Sequence, residues 1–313
     1  MTASDPAPSI AILLATCNGA RHLHAQLDSL AAQHLRPRLI VVSDDGSTDT
    51  SREIVAAFAA AHPELDLRLI DGPQRGSAQN FLHLLRQVPD SIDMVAFADQ
   101  DDVWMPDRLQ RGARALRDTA PDQPAIACGR SLVCDAKLEG RRLSALPQRQ
   151  PGFRHALVQN IAGGNTMLLN RAATHLLRDA SLEARKVIAH DWWAYQIVAG
   201  AGGAVLFDTE PLLLYRQHGE NQIGANHGLG AQSRRFVQLV RRRYQYWNSI
   251  NIVALRASAH RFTPENRALL ADFAAMRGAG LGRRLRLMRR LGLYRQGLPG
   301  RISLWLAAVL GRL

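Results

Sequence analysis

Three carboxylates fall within four residues at Asp99-Gln100-Asp101-Asp102. Carboxylates packed so closely repel one another unless a cation offsets them. Hard oxygen donors suit Mg²⁺ or Mn²⁺, ions that usually share their coordination with substrate phosphates. A merely solvated acidic loop would need neither the apolar run Met94–Ala98 before it nor an aromatic, Trp104, just after it. The spacing therefore favours a metal–diphosphate role. Two more polar clusters end apolar runs: Thr16-Cys17-Asn18-Gly19 after Ile10–Ala15, and Asp44-Asp45-Gly46-Ser47 after Leu39–Val42. A turn or a helix cap would explain each cluster singly; all three on one sheet edge would form a site. A further carboxylate, Asp191, opens the stretch His190-Asp191-Trp192-Trp193. Its plain explanation is N-capping of a helix; its chemical one is a base acting on a hydroxyl.

Several chemistries lack their residues. There is no G-x-G-x-x-G and no G-x-x-x-x-G-K-[ST], so a nucleotide here would be held by carboxylates and metal. There is no H-E-x-x-H and no G-x-S-x-G, which disfavours zincins and serine hydrolases. Cys17, Cys128 and Cys134 are too few and too uneven for a disulfide scaffold or a zinc ribbon, so a reducing cytosolic setting is expected. His22 and His24 stand on a predicted surface helix with no third ligand nearby and read as solvated. The residues before Pro8 carry no positive charge, and the early apolar run spans Ile10–Ala15 only, against the ~20 residues a membrane span needs. Neither a signal peptide nor a spanning helix is expected.

The elements that would position these residues follow an α/β rhythm. Apolar runs at Ile10–Ala15, Leu39–Val42, Leu65–Ile70 and Met94–Ala98 start about 25–30 residues apart, the length of a strand with its crossover helix. Their unbroken hydrophobicity suits strands buried on both faces of a parallel sheet. Ala20–Gln33, Thr50–Ala61 and Gly76–Gln87 read as the helices between them, with Thr50 and Glu53 as a capping box. Pro106 fits the first turn of a fourth helix reaching about Asp118. Further on, Ala125–Val133, Met167–Leu169, Ala204–Phe207 and Pro211–Tyr215 are predicted strands. Arg171–Ala184 and His190–Ala199 are predicted helices, and Gly140–Phe153 a loop. In such sheets ligands bind beyond the carboxyl ends of the strands, where all three clusters fall.

The strand ending Ala-Thr-Cys-Asn-Gly, then Val-Ser-Asp-Asp-Gly-Ser-Thr-Asp, then Phe-Ala-Asp-Gln-Asp-Asp-Val-Trp, resembles glycosyltransferase family 2, whose members have the GT-A fold. His-Asp-Trp-Trp at 190–193 and Tyr-Arg-Gln-His-Gly-Glu-Asn at 215–221 are similar to its rhamnosyltransferase branch. The resemblance spans about residues 9–225. It implies an inverting transfer of a sugar, rhamnose from dTDP-rhamnose, to a glycan or lipid-linked acceptor in bacterial surface polysaccharide synthesis. It also implies a Mg²⁺ or Mn²⁺ cofactor. The nucleotide-sugar residues would be Thr16, Asn18 and Asp45 toward the nucleoside, Asp99 at the ribose-diphosphate, Asp102 supporting that loop, and His218. Asp101 would bind the metal, with His218 near it, and Asp191 would be the catalytic base. Gly164, Asn165, Trp192 and Trp193 would line the acceptor side. The family commonly carries an aromatic where this chain has Cys17, so a ring that would stack on the base is missing.

Charge divides the chain. The net charge is +12, yet residues 231–313 hold 17 Arg, no Lys and two acids, Glu265 and Asp272, for +15; the preceding 230 residues sum to −3. A catalytic domain over 1–230 and a basic helical extension over 231–313 are the expected units. Residues 302, 305, 306, 309, 310 and 313 are apolar at helical spacing, the pattern of an amphipathic helix that lies on an anionic membrane. A peripheral place at the cytoplasmic face of the inner membrane follows, with packing of the helix on the catalytic domain as the other reading. Phe236, Tyr244, Tyr246 and Trp247 among the arginines would suit single-stranded nucleic acid, but no recognition module accompanies them, so none is expected as a partner. A nucleotidyltransferase would need a basic triphosphate loop after the first strand, where 16–21 offers only Arg21.

Overall fold

A computed structural model describes residues 7–161, 163–217 and 231–313, with the backbone alone for 231–243. The first third alternates strand and helix: β1 (Ile10–Thr16), α1 (Ala20–Ala31), β2 (Leu39–Asp44), α2 (Ser51–Ala61), β3 (Leu67–Asp71), α3 (Ser77–Leu85) and β4 (Met94–Ala98). Next come β5 (Val103–Trp104), α4 (Arg108–Leu116), β6 (Ala125–Cys134), β7 (Arg142–Leu143) and α5 (Phe153–Ala156). They are followed by β8 (Leu168–Asn170), α6 (Arg171–Glu183), α7 (His190–Gly200) and β9 (Ala204–Arg216). The chain ends in α8 (Ala231–Ala257), α9 (Pro264–Arg277), α10 (Leu281–Leu291) and α11 (Gly297–Val309).

One sheet runs β3-β2-β1-β4-β8-β6-β9-β5, with β7 paired to β6. β3, β2, β1 and β4 are parallel neighbours, β8 is antiparallel to both β4 and β6, and β6 and β9 are parallel. Strand order reverses between β1 and β4, which opens a crevice at their carboxyl ends, where doubly wound sheets take their ligands. The unbroken apolar runs are buried on both faces. In β1, Ala11 and Leu13 face one core cluster while Ile12 and Leu14 face the other. Each such side chain contributes about 1.5–3 kcal/mol relative to exposure.

The irregular half departs from expectation in specific ways. Ala204–Phe207 and Pro211–Tyr215 belong to one strand, β9, whose register against β6 shifts around Gly129, Arg130 and Leu132. That bulge absorbs Pro211, which has no N–H to donate. Val103–Trp104, buried within the acidic motif's flank, is a strand paired antiparallel to β9. The Thr50–Glu53 capping box does not form: Thr50 makes no side-chain cap bond. Asp49 caps instead, accepting from Ser51 N–H and hydroxyl and from Ala20 N–H.

The C-terminal helices share the core on the α3, α6 and α7 side. Phe273, Met276, Met288, Leu291, Leu304, Ala308 and Leu313 lie in the same cluster as Phe81, Phe153 and Tyr195. Thr263 caps α9 through Asn266 N–H, with Pro264 at its first position. On α11 the expected stripe divides: Ile302, Trp305, Leu306, Val309 and Leu310 are exposed, while Leu313 is buried together with Leu304 and Ala308.

Candidate active site

The sheet edge at the β1–β4 switch point, the expected donor edge, is built by three turns tied to one another. Gln100 bridges the strands at the switch point: its Oε1 accepts from Thr16 Oγ1 and Cys17 N–H, both at 2.8 Å, and its Nε2 donates to Cys17 O. Asn18, in the left-handed region at φ 50°, accepts Thr48 N–H at 2.8 Å while its own N–H goes to Ser47 Oγ. Asn18 thereby joins the β1 and β2 turns, so its carboxamide oxygen is engaged within the protein. Asp45 accepts Gln74 N–H at 2.6 Å and Gly76 N–H at 2.8 Å, drawing the turn after β3 toward the site. Asp44, buried at the end of β2, holds its own turn through Gly46 and Ser47 N–H.

The acidic tetrad lies at the crevice floor. Burial, then the charges of Asp102, Asp101 and Asp191, hold the Asp99 carboxyl well above the usual carboxylate range. Asp102 is buried, with Oδ2 accepting Asn165 Nδ2 at 2.5 Å and Oδ1 accepting Arg216 N–H at 3.3 Å. Burial and Asp101 push its carboxyl up to about 7, against Asn165, Arg216 N–H and Arg108. Both Asp102 oxygens therefore bind protein, and this residue braces the loop from within. Arg216 adds a second strap by donating to Asp101 O at 2.8 Å. Asp99 and Asp101 suit a hard divalent cation: they are oxygen donors, and Asp99 carries carboxylate repulsion that a cation would relieve. No cluster of three metal-ligating side chains is assembled among the described residues, and His218 lies outside them.

Asp191 lies near the acidic motif: Gly164 N–H bonds it while the next residue, Asn165, bonds Asp102. Asp191 stands in the first turn of α7, whose N-cap is Ala189, so capping does not account for it. Its Oδ2 accepts Gly164 N–H at 3.1 Å and its Oδ1 accepts Trp192 N–H at 2.6 Å. Burial raises its carboxyl above the ordinary value, and hydrogen bonds from Trp192, Gly164 and the Asn160 side chain pull it back. Gly164 has no room for a side chain, since a Cβ would collide with His190 Nε2. His190 is itself stacked on Phe81 with ring centroids 3.6 Å apart, and burial lowers its imidazole to about 3. The ring is therefore neutral and apolar in role.

Trp192 and Trp193 are not acceptor platforms. They are 4% and 1% exposed, and Trp192 Nε1 donates to Ala156 O, so neither ring presents a face to a sugar. Asn165 is likewise buried against Asp102, an internal brace rather than an open contact.

Two residues that pattern reading passed over hold the site together. Gln100 sits between the aspartates, and nothing in the motif singles it out. Arg108 lies on the buried stripe of α4 with Leu109, Ala113 and Leu116. Its guanidinium stacks 3.3 Å from the Trp104 centroid and donates to Asn165 O at 2.6 Å and Met167 O at 3.2 Å. Burial lowers it to about 9, with Asp102 acting against that. An arginine on an apolar helical stripe was the one available signal.

The chain matches the family description "Glycosyl transferase family 2" over residues 11–177, more than half its length. It belongs to glycosyl transferase family 2. The match contains the three donor turns and stops before Asp191. A dTDP-rhamnosyl transferase, RfbG of Shigella flexneri, is 27% identical over 239 residues, covering 74% of this chain and 80% of that protein. An uncharacterized glycosyltransferase of Nostoc sp. is 34% identical over 103 residues, a third of this chain. Among solved structures, the mannosyltransferase PcManGT from Pyrobaculum calidifontis, in complex with GDP-Man and Mn²⁺, superposes with a TM-score of 0.53. It is 18% identical and covers 98% of this chain and 88% of its own. S. aureus TarS 1-349 in complex with UDP gives a TM-score of 0.55 at 16% identity over 86% of this chain and 71% of its own. These likenesses show the GT-A fold. This family 2 member is an enzyme, a hexosyltransferase-type glycosyltransferase.

Proposed function

We propose that this glycosyltransferase moves rhamnose from dTDP-rhamnose to a hydroxyl of a glycan or lipid-linked saccharide, with inversion. The observation that carries the reading is that consecutive residues hold the two acidic regions together: Gly164 N–H holds the Asp191 carboxylate while Asn165 holds Asp102 of the acidic motif. A base on one side and a diphosphate pocket on the other suit a single displacement. Asp191 takes the proton of the acceptor hydroxyl as its oxygen bonds to the sugar C1. The bond from C1 to the diphosphate oxygen breaks, and the electron pair leaves with dTDP. Burial, by raising the Asp191 carboxyl, brings it nearer the working pH, where a base is most effective. Asp99 and Asp101 would hold a Mg²⁺ or Mn²⁺ ion, which when bound would offset charge on the leaving diphosphate. Thr16 and Asp45 edge the pocket toward the nucleoside. The S. flexneri relative supports the choice of donor, and the Mn²⁺ complex of PcManGT supports the cation.

Thermal shifts with dTDP, UDP, GDP and CMP, each with and without Mn²⁺, test this on wild type and Asp101→Ala. A nucleotide at a hundred times its Kd stabilises by about 2.7 kcal/mol. A Mn²⁺-dependent shift with dTDP, lost in Asp101→Ala, is expected; no shift with any nucleotide would sink the reading.

The acceptor side we place at the cytoplasmic face of a membrane, on an anionic bilayer. No described helix is long and apolar enough to cross a membrane. α11 nonetheless exposes Leu298, Ile302, Trp305, Leu306, Val309 and Leu310, and residues 281–313 hold eight arginines and no acid. An apolar face rimmed by arginine suits the interface of anionic lipid. Flotation with phosphatidylglycerol vesicles should be lost when Ile302, Trp305 and Leu306 are all changed to Ser. Equal flotation of the two proteins would count against this surface.

A further inference from the structure

The strap between residues 148 and 161 leads into the base. Trp192, the residue after the base, donates from Nε1 to Ala156 O within this strap, and Gly164, whose N–H holds the Asp191 carboxylate, follows a few residues beyond it. The strap buries Phe153, Ala156, Leu157 and Val158, and the backbone groups of its turns must still be paired; two separate parts of the chain pair them. On one side stands α7, the helix that carries Asp191. Tyr195 hydroxyl accepts Gly152 N–H at 2.9 Å and donates to Gly152 O at 3.0 Å. Trp192 Nε1 and Gln196 Nε2 both donate to Ala156 O.

The other side comes from the connector between α10 and α11, some 140 residues later. Gln296 Oε1 accepts Gln148 N–H at 2.9 Å and Arg149 N–H at 3.0 Å, and its Nε2 donates to Arg149 O at 2.9 Å. The Gln296 backbone N–H goes to Gln159 Oε1 at 2.8 Å, and Arg295 Nε to Val158 O at 2.9 Å. Tyr294 hydroxyl donates to Gln150 O, and Arg154 returns a bond to Leu291 O. One carboxamide thus satisfies three backbone groups of the strap, a geometry that a nonspecific packing contact does not produce.

We infer that the connector Leu291–Gln296 is a positioning element of the transfer reaction: it fixes the strap on which Trp192, Tyr195 and Gln196 of α7 are held, and so the start of the helix that carries Asp191. This rests on Asp191 being the base. The basic extension then serves chemistry as well as location, and losing it would cost catalysis even where no membrane is present. Gln296 is the central residue, because it alone pairs with both ends of the strap, at Gln148–Arg149 and at Gln159.

The test uses the full chain with Gln296→Ala and Gln296→Glu. Three quantities are read: the thermal shift with dTDP and Mn²⁺, the kinetics of dTDP-rhamnose hydrolysis with water as acceptor, and amide hydrogen exchange across 148–164. In Gln296→Ala the nucleotide shift and the donor KM should match wild type. The hydrolysis kcat should fall roughly ten- to hundredfold, as displacement of a reacting group does, and exchange at 148–156, the end its side chain pairs, should quicken. Gln296→Glu keeps the two accepted bonds and loses the donated one, so an intermediate kcat is expected. Wild-type kcat together with wild-type exchange would overturn the inference, as would a lowered melting temperature with kcat unchanged. Should wild type itself neither bind dTDP nor hydrolyse the donor, the donor reading fails separately. Exchange at 148–156 would still decide whether the connector holds the strap.

Discussion

The two sides of the crevice are held by opposite strategies. On the donor side each polar residue sits at the end of its own strand, and its partners come from the neighbouring turns: Thr16 with Gln100, Asn18 with Thr48, Asp45 with Gln74 and Gly76. Parallel strand register alone brings those turns together. On the side of the proposed base the carboxylate of Asp191 relies on Gly164, on the buried His190, and through the strap that holds α7 on Gln296. None of these is placed by a strand end. The donor side is a short-range construction repeated three times. The base side is a long-range one made once, so a single lesion there should be more damaging to chemistry and less damaging to nucleotide binding.

The sharpest way to break this contrast is Asp191→Asn. Transfer should fall by about 10²–10⁴-fold, the usual worth of a positioned base, while the dTDP thermal shift persists. Loss of both together would mean that the two sides are not separable. Acid is the next lever. His190 is held neutral by burial, with its imidazole lowered to about 3, so below the ordinary histidine value of 6.5 the unfolded chain takes up a proton that the folded one refuses. Stability should therefore fall as pH drops from about 6.5 toward 3, by an amount on the order of a few kcal/mol. Urea midpoints measured across that range check this, and His190→Gln should flatten the dependence. A flat profile in wild type would show that the ring is not buried in this way.

Gly164→Ala forces a methyl group into the His190 ring and should cost about 1–3 kcal/mol, with kcat falling more than donor KM rises. Steady-state kinetics beside a denaturation curve separate the two effects. The smallest change is expected from Gln100→Ala, which removes the bridge between the first and fourth turns. Donor affinity should weaken by about 1 kcal/mol, the net worth of a typical hydrogen bond, as read by dTDP titration, with kcat at saturation little altered. A large kcat loss in Gln100→Ala would erase the distinction between the sides.

Much of the donor side was legible before any coordinates. Strand ends announce themselves where an apolar run stops at a polar residue, so Thr16, Asp45 and Asp99 could be assigned to one edge from order alone. Side-chain aim was not legible. Asn18, Asp45 and Asp102 sit in the right turns yet spend their oxygens on the protein: Asp102 because a buried polar group must be paired, Asn18 and Asp45 because neighbouring turns bring backbone N–H groups within reach. Trp192 and Trp193 belong to a helix buried all round, where adjacent aromatics have no outer face to offer. Periodicity found the apolar stripe of α11 but could not say which way it points. Leu304 and Ala308, between its members, are the residues that pack inward.

What the sequence determined by itself is the α/β frame and its polar strand ends, since period, apolar run length and strand-end chemistry are local properties of the chain. The tertiary structure alone decided how Asp191 is held. Its supports lie at Gly164, at Ala156 through Trp192 and, through the strap, at Gln296, separations over which no local pattern speaks. The folding of the C-terminal helices into the core cluster that also holds Trp192 and Tyr195 is what brings Gln296 within hydrogen-bond reach of the strap.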